Sequence, residues 1–231
     1  MIKKVVLLSL FVSLGGLINA AVAKSAADSS KAGIEKFIAG KDYDVLPTPV
    51  ATRNKEKVEV VELFWYGCGH CYTFDQIFKP WAAKQASDVD VVQMPAIWNK
   101  TMELHARAFY AAQALNKINE LHGPLFNAII VKRERLFSPD ALANFFEKYG
   151  VDKKTFENVM TSFGVDSQVA LAQSRGRSYK MRGTPEMVVN GKYRLSVEKA
   201  KSQPRMLEIA DFLIEKERKH LPKAAEPSPA E

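Results

Sequence analysis

The stretch 58-VEVVELFWYGCGHCYTF-74 changes from a strand pattern to a helix pattern within one short turn, and the rest of the chain can be placed around it. Residues 58–66 are β-branched and aromatic and almost continuously apolar, which is typical of a strand buried on both faces in a sheet covered by helices. Gly67 ends this run, and from Cys68 onward the apolar residues recur at helical spacing. The two cysteines of the chain therefore lie where a buried strand gives way to a helix.

The elements around this stretch follow an α/β order. Patterning predicts a short helix at 34–38, an extended segment at 43–46, a strand at 89–94, helices over most of 101–177, strands at 186–189 and 192–195, and a helix at 204–219. Asn190-Gly191, between the last two strands, is a strong signal for a two-residue hairpin turn. We expect a small α/β sheet with a helical domain inserted in it.

Composition and charge exclude several classes of protein. The chain has 231 residues, of which 47% are hydrophobic and 26% charged, so it is neither a membrane channel nor a collagen nor a largely disordered chain. The formal charge is +7, but the basic clusters at 132–135 and 175–177 are interleaved with acidic and apolar residues. This interleaving favours a solvated helix face over a nucleic-acid site.

The first residues have the pattern of an export signal. Residues 1–4 are a short basic start, residues 5–18 are an apolar run of 14 residues, and Ala21-Val22-Ala23 offers small residues at a cleavage site. We predict a secretory signal that is cleaved after Ala23. The alternative is an uncleaved membrane anchor, for which the run is shorter than the ~20 residues needed to span a bilayer. Export places both cysteines where disulfides persist.

The segment Cys68-Gly69-His70-Cys71 places two thiols three residues apart at a helix start. A structural disulfide would close so small a loop that chain entropy gives only about 2 kcal/mol, against about 4.7 kcal/mol for a 100-residue loop. A redox pair explains this spacing better. The helix N-terminus favours a Cys68 thiolate, and Cys71 can attack a mixed disulfide formed through Cys68. A zinc site would need two more ligands. The other histidines are scattered single residues: His105, His122 and His220.

The segment 62–74 and a second segment, 182-RGTPEMVVNGKY-193, closely resemble periplasmic thiol:disulfide oxidoreductases of the DsbA type. The resemblance extends from about residue 33 to residue 219 and includes the inserted helices. It implies a thioredoxin fold and the donation of a disulfide to newly exported proteins. It also implies reoxidation by a quinone-linked membrane partner of the DsbB type, with no cofactor beyond the redox-active disulfide.

With this resemblance, the chain divides into four parts. They are a signal peptide at 1–23, a thioredoxin-fold domain at 24–98 and 178–220, an inserted α-helical domain at 99–177, and a disordered tail at 221–231. We expect a periplasmic monomer that binds reduced exported polypeptides and no nucleic acid.

The resemblance also implies roles for residues of both segments. Cys68 would be the exposed nucleophile and Cys71 the resolving thiol. Pro185 would be a cis-proline that faces the disulfide. Thr184, preceded by Gly183, would pair its backbone with an extended substrate.

Three further polar residues lie close to the cysteines in sequence. His70 would stabilise the Cys68 thiolate by its dipole or charge. The alternative interpretation is that His70 is a loop residue that faces solvent. Glu62 lies within an otherwise apolar strand, where an unpaired carboxylate is costly. It is interpreted as a buried acid that handles the proton of Cys71, or else as a strand-end acid that reaches solvent. Asp75 either modulates the same thiols or is a solvated surface charge.

One departure from the family pattern leaves other functions open. The commonest dipeptide between the cysteines of DsbA-type proteins is Pro-His, whereas this chain has Gly69-His70, as protein disulfide isomerases do. A disulfide isomerase or reductase is therefore an alternative function, although the chain has no room for the dimerisation domain typical of exported isomerases. Another is a non-catalytic chaperone-like binding module that uses an apolar surface around Trp65, Tyr66 and Pro185.

Overall fold

A computed structural model of the protein describes residues 35–222. The predicted signal peptide lies outside the described residues, as does the predicted tail apart from residues 221 and 222. From Phe37 onward the described chain belongs to one unit. None of the described helices is both long and apolar enough to cross a bilayer.

A five-stranded mixed sheet forms the centre of the fold. Its strands are β1 (Asp44–Val45), β2 (Val58–Phe64), β3 (Val89–Pro95), β4 (Glu186–Val189) and β5 (Tyr193–Ser196). They lie in the order β1-β5-β4-β2-β3, with β2 and β3 parallel and all other neighbours antiparallel. The strands predicted from sequence are present, and β2 ends two residues earlier than expected.

The described residues contain eight α-helices. They are α1 (Gly69–Ala82), α2 (Lys100–Ala114), α3 (Ile118–Phe126), α4 (Pro139–Glu147), α5 (Lys153–Met160), α6 (Phe163–Ser178), α7 (Val197–Ala200) and α8 (Gln203–Arg218). A π-helical segment, Asn127–Val131, directly follows α3. Helix α4 begins at a serine N-cap, where the Ser138 hydroxyl accepts the Ala141 N–H at 3.1 Å. Helices α2 to α6 are the predicted insertion, while the exact domain boundaries stay a prediction.

Strand β2 lies between two hydrophobic cores, because alternate side chains of a strand point to opposite faces. Val58 and Val60 lie in a core that includes buried residues of α1 and α8. Val61 and Leu63 lie in a second core, formed with the inserted helices. The end of β2, and with it the start of α1, is therefore held by packing from both sides.

The predicted hairpin between β4 and β5 is present, although three residues rather than two separate the paired residues Val189 and Tyr193. Asn190 and Gly191 take positive φ values of 50° and 61°, which a type I′ turn requires at both central residues. The Lys192 N–H closes the turn on the Val189 carbonyl at 3.0 Å. A side chain at Gly191 would collide with the backbone of Val50, so glycine is required there for close approach as well.

The prediction of a short helix at 34–38 is wrong for residues 35–38, which are irregular; residue 34 lies outside the described residues. The Asp42 carboxylate instead accepts the Ile38 N–H at 2.9 Å. Gly40 takes a φ of 82°, so the chain turns here rather than coiling. An aspartate that bonds to nearby backbone in this way competes with a helical turn.

Both basic clusters also differ from the solvated helix face that we predicted. Residues 132–135 are not helical, because Arg133 takes a φ of 56°, in the left-handed region that does not continue a helix. Arg175 lies on α6 as expected but is only 9% exposed. Its guanidinium is paired with Glu59 of β2, which explains how the charge is buried.

Candidate active site

The two cysteines lie at the first turn of α1. Cys68 is the N-cap residue, with extended backbone at φ −99° and ψ 110°. Its Sγ accepts the Cys71 N–H at 3.2 Å, as the oxygen of a serine N-cap would. The Cys68 N–H is bonded to the Trp65 carbonyl at 3.0 Å, which ties the sulfur to the end of β2. The predicted placement of the pair at a helix N-terminus is confirmed.

The two thiols differ in exposure and acidity. Both are free thiols; Cys68 is partly exposed, whereas Cys71 is fully buried. The hydrogen bond with the Cys71 thiol lowers the pKa of Cys68 to about 6, although burial opposes this shift. Burial and the neighbouring Cys68 sulfur raise the pKa of Cys71. At neutral pH, Cys68 is therefore the thiolate of the pair and Cys71 the thiol.

The loop before β4 lies against Cys68. The Thr184 carbonyl is 3.4 Å from the Cys68 Sγ. The Thr184–Pro185 peptide bond is cis, which confirms the expectation drawn from the resemblance. Both Gly183 and Thr184 are partly exposed, whereas Pro185 is buried. The fold thus brings together two segments that are more than a hundred residues apart in sequence.

His70 is exposed at the first turn of α1. Its backbone N–H lowers the pKa of Cys68, and its carbonyl accepts the Gln203 side-chain N–H at 2.7 Å. The backbone of His70 thus contributes to the site directly. A role for its imidazole stays a prediction.

Glu62 is buried, at 1% exposure, and does not reach solvent as a strand-end acid would. Its Oε2 accepts the Gln93 side-chain N–H at 2.7 Å. Burial raises the pKa of Glu62 to about 8, because an amide partner compensates a buried charge only in part. At neutral pH most of the Glu62 carboxyl therefore carries a proton.

Asp75 is also buried, so the alternative of a solvated surface charge is wrong. Its Oδ1 lies 3.2 Å from His122 Nε2 and its Oδ2 lies 3.0 Å from Lys79 Nζ. These neighbours lower the pKa of Asp75 although burial opposes the shift. His122 Nε2 also lies 3.3 Å from the Gln93 Nε2. Asp75, His122, Gln93 and Glu62 therefore form one continuous polar cluster.

Sequence reasoning did not single out Gln93 or His122 as parts of this cluster. Gln93 gave the same signal as Glu62, a polar residue inside an otherwise apolar strand, and could have been found in this way. His122 gave no signal, since a single histidine on a helix is usually part of a core. Its Nδ1 is 2.8 Å from the hydroxyl of Tyr66, which is buried.

The apolar surface expected for a chaperone-like module is not formed as predicted. Tyr66 and Pro185 are buried, and of the three residues named for it only Trp65 is partly exposed. Among residues 35–222, no cluster of three or more histidine, cysteine, aspartate or glutamate side chains could hold a metal ion.

Comparison with known proteins identifies relatives over most of the chain. A family profile described as a DSBA-like thioredoxin domain matches residues 87–208. The thiol:disulfide interchange protein DsbA of Pseudomonas aeruginosa is 36% identical over 202 residues, which cover 87% of this chain and 96% of that protein. The protein of the same name from Burkholderia cepacia is 35% identical over 213 residues, or 91% of this chain and 96% of that one.

Solved structures agree with these relatives. The crystal structure of Pseudomonas aeruginosa DsbA matches with a TM-score of 0.78 and 37% identity, over 81% of this chain and 97% of that chain. The oxidoreductase DsbA from Xylella fastidiosa matches with a TM-score of 0.75 and 32% identity, over 79% of this chain and 98% of that chain. The expected thioredoxin fold with inserted helices is confirmed. This chain belongs to the DsbA family of thiol:disulfide oxidoreductases.

Proposed function

We propose that this protein works in the periplasm and oxidises pairs of cysteines in newly exported polypeptides by donating the Cys68-Cys71 disulfide. The asymmetry of the two thiols carries the proposal. Cys68 is partly exposed and its pKa is lowered to about 6, whereas Cys71 is buried and its pKa is raised. A partly exposed sulfur can be attacked, and a thiol of low pKa is a good leaving group.

The reaction proceeds through a mixed disulfide. A substrate thiolate attacks the Cys68 Sγ, the Cys68-Cys71 bond breaks, and Cys71 takes up the electron pair and then a proton. A second substrate thiolate attacks the first substrate sulfur and releases Cys68 as a thiolate. The substrate loses two electrons and gains a disulfide, while the cysteine pair of the enzyme is reduced.

Glu62 supplies the proton that Cys71 needs. A Cys71 thiolate would be buried and is disfavoured, which is why the pKa of this thiol is raised. The carboxyl of Glu62 is protonated at neutral pH, since its own pKa is raised to about 8. It can therefore release a proton when Cys71 is reduced and accept one when Cys71 is oxidised again.

Substrate binding uses the loop beside Cys68. An extended polypeptide pairs with the backbone of Thr184, preceded by Gly183, while Pro185 presents no N–H to the sulfurs. His70 adds its dipole or charge to the stabilisation of the Cys68 thiolate. The protein acts as a monomer, and reduced exported polypeptides are its substrates.

The enzyme turns over only if its disulfide is restored. We assign this step to a quinone-linked membrane partner of the DsbB type, which would remove two electrons from the reduced cysteine pair. No separate cofactor is then needed, since the disulfide itself carries the electrons. Membrane vesicles that contain such a partner and a quinone should reoxidise the reduced protein, and vesicles depleted of quinone should not.

Trapping of the mixed disulfide tests the assignment of the two cysteines. Cys71→Ala should accumulate a covalent complex with a cysteine-containing peptide in the presence of an oxidant, because nothing resolves it. Cys68→Ala should give none, since the remaining thiol is buried. Equal trapping by both variants would contradict the proposal.

The redox potential separates the oxidase from the alternative isomerase or reductase. A stabilised Cys68 thiolate favours the reduced form, so the disulfide should be readily reduced by glutathione at pH 7. A potential as low as that of thioredoxin, about −270 mV, would instead favour a reductase.

A further inference from the structure

Glu186 is a buried acid that none of the steps above uses. It is the first residue of β4, directly after Pro185, and is 3% exposed. Both of its carboxylate oxygens accept the backbone N–H of Arg182 at 3.4 Å. The side chain therefore turns back toward the loop that precedes its own strand.

This contact connects the loop to the sheet. The backbone of Glu186 is held in register with Leu63 of β2 and with Ser196 of β5. The Arg182 N–H at its carboxylate lies two residues before Thr184, whose carbonyl lies 3.4 Å from the Cys68 Sγ. A loop of three residues beside the reactive sulfur is thus anchored at one end by a strand and at the other by a carboxylate.

We infer that Glu186 is a positioning residue, whose carboxylate holds residues 182–184 so that Thr184 stays against the Cys68 sulfur. This inference deepens the proposed function and rests on it, because the same loop would align the substrate. Glu186 acts through the backbone N–H of Arg182 and touches neither sulfur. Loss of its charge should weaken the charge-assisted hydrogen bonds from this N–H and let Thr184 move away from Cys68.

The surroundings of Glu186 make the contact sensitive to pH. Arg182 precedes it and Arg194 of β5 lies near it, while His70 of α1 and Glu198 of α7 line the same cleft of about 320 Å³. Burial raises the pKa of Glu186 to about 7, although both arginines oppose the shift. The carboxylate is therefore charged in mildly basic solution and loses its charge as the pH falls below neutral.

Two opposing effects on the attack at Cys68 make the inference testable. Displacement of the loop should slow the attack of a peptide thiolate on the Cys68 sulfur of the oxidised protein, because Thr184 then no longer aligns the peptide. Removal of a nearby negative charge alone should speed this attack, because a carboxylate repels an anionic thiolate. The direction of the change in Glu186→Gln therefore separates positioning from simple electrostatics, and an unchanged or faster attack near about pH 8.5 would overturn the inference.

The first measurement follows the backbone amide proton of Arg182 by NMR between about pH 6 and pH 8.5 in the full-length protein. Its chemical shift should titrate with the Glu186 carboxyl, near pH 7, in the wild type and should not do so in Glu186→Gln. Glu208→Gln removes the same charge from an exposed position on α8 and serves as the matched control, which should leave this titration unchanged. An Arg182 amide that does not titrate in the wild type would overturn the inference. If Glu186→Gln does not fold, Glu186→Asp, which keeps the charge but shortens the reach, should slow the attack on Cys68 near about pH 8.5.

A second measurement uses the rate of reaction of the oxidised protein with a cysteine-containing peptide. The ratio of the wild-type rate to the Glu186→Gln rate cancels the ionisation of the peptide thiol. We expect this ratio to be about fivefold near pH 8.5 and to approach one near pH 5.5, where Glu186 is neutral in the wild type as well. A ratio that is independent of pH would count against positioning by the charge. A wild-type protein that fails to oxidise the peptide would refute the proposed function instead, and the titration of the Arg182 amide would still decide the role of Glu186.

Discussion

Two glutamates of β2, Glu59 and Glu62, are both buried, yet their surroundings differ in kind. They lie three residues apart and so point to opposite faces of the sheet. The Glu59 carboxylate meets the guanidinium of Arg175 and accepts the backbone N–H of Arg53 at 3.1 Å. Glu62 has instead the neutral amide of Gln93.

This difference separates a structural acid from a reactive one. A buried carboxylate with a guanidinium partner has its charge compensated and holds two elements together, here β2 and α6. A buried carboxyl with only an amide partner keeps a raised pKa, about 8 for Glu62, and can exchange its proton near neutral pH. The same residue type in one strand thus serves the fold on one face and, by our proposal, the chemistry on the other.

The largest expected effect is the loss of stability when Glu59, the structural acid, loses its partner Arg175. Arg175→Met should lower the free energy of unfolding by about 3–5 kcal/mol, because it leaves the buried Glu59 carboxylate with only the half-exposed Arg53, 3.6 Å away, as a charged partner. Urea unfolding at pH 7 measures the loss. Arg177→Met on the same helix is the matched control, since Arg177 is exposed, and should change stability by less than about 0.5 kcal/mol.

A second variant decides whether the missing partner causes that loss. Combining Glu59→Gln with Arg175→Met removes both charges of this buried pair and should recover part of the lost stability. If the double variant were as unstable as the sum of the two single variants, lost packing rather than unpaired charge would be the cause.

The next largest effect is a gain in the free energy of unfolding, and it concerns Glu62, the reactive acid. The pKa of Glu62 is raised from 4.5 to about 8, so its contribution to stability is fully present below about pH 4.5 and is lost as the pH rises through 8. Keeping the carboxyl protonated at pH 7 costs about 2.5 × 1.36, or roughly 3 kcal/mol. Glu62→Gln has no such cost and should be more stable by about this amount at pH 7.

The pH dependence is the control for this prediction. Near pH 4 both side chains are neutral in the folded and unfolded states, so the advantage of Glu62→Gln should shrink to a few tenths of a kcal/mol. Urea unfolding of both proteins between about pH 4 and pH 8 measures the difference. A difference that does not vary with pH would mean that Glu62 is not a buried acid with a raised pKa.

The local parts of this comparison could be predicted from the sequence. The apolar run that ends at Gly67 and the helical spacing after Cys68 are patterns over a few residues, and they placed the end of β2 and the start of α1 to within two residues. The hairpin at Asn190-Gly191 is equally local. Glu62 could be singled out because a charged residue inside a buried strand needs an explanation in any fold.

The partners could not be predicted, because they come from distant parts of the chain. Glu59 lies 116 residues from Arg175, and Gln93 lies 29 residues from His122. Patterning read Arg175 as a solvated residue, since nothing near it in sequence reveals the acid it meets. Which buried acid is paired and which is left with an amide is therefore a property of the tertiary fold.

The smallest expected effect on stability comes from Cys68, which is a partly exposed acid rather than a buried one. Its pKa falls from 9.0 to about 6, so its contribution to the stability of the reduced protein is fully present above about pH 9 and is lost as the pH falls through 6. This is the reverse of the dependence at Glu62. At pH 7, only one unit above the folded pKa, the gain is about 1 kcal/mol once solvent screening of a partly exposed group is allowed for.

Cys68→Ser is the suitable variant, because serine keeps an N-cap acceptor but does not ionise in this range. In the reduced state, the stability of the wild type relative to Cys68→Ser should rise by about 1 kcal/mol between about pH 5 and pH 7 and continue to rise toward pH 9. Cys71→Ser should show little such change relative to the wild type, because the serine hydroxyl can still donate a hydrogen bond to the Cys68 thiolate and the raised pKa of Cys71 keeps that thiol neutral in the folded wild type. Denaturant unfolding of the three reduced proteins over this range measures the slopes. A flat difference for Cys68→Ser would mean that the helix start does not stabilise a thiolate, and Cys68 would then lack the leaving-group ability on which disulfide donation depends.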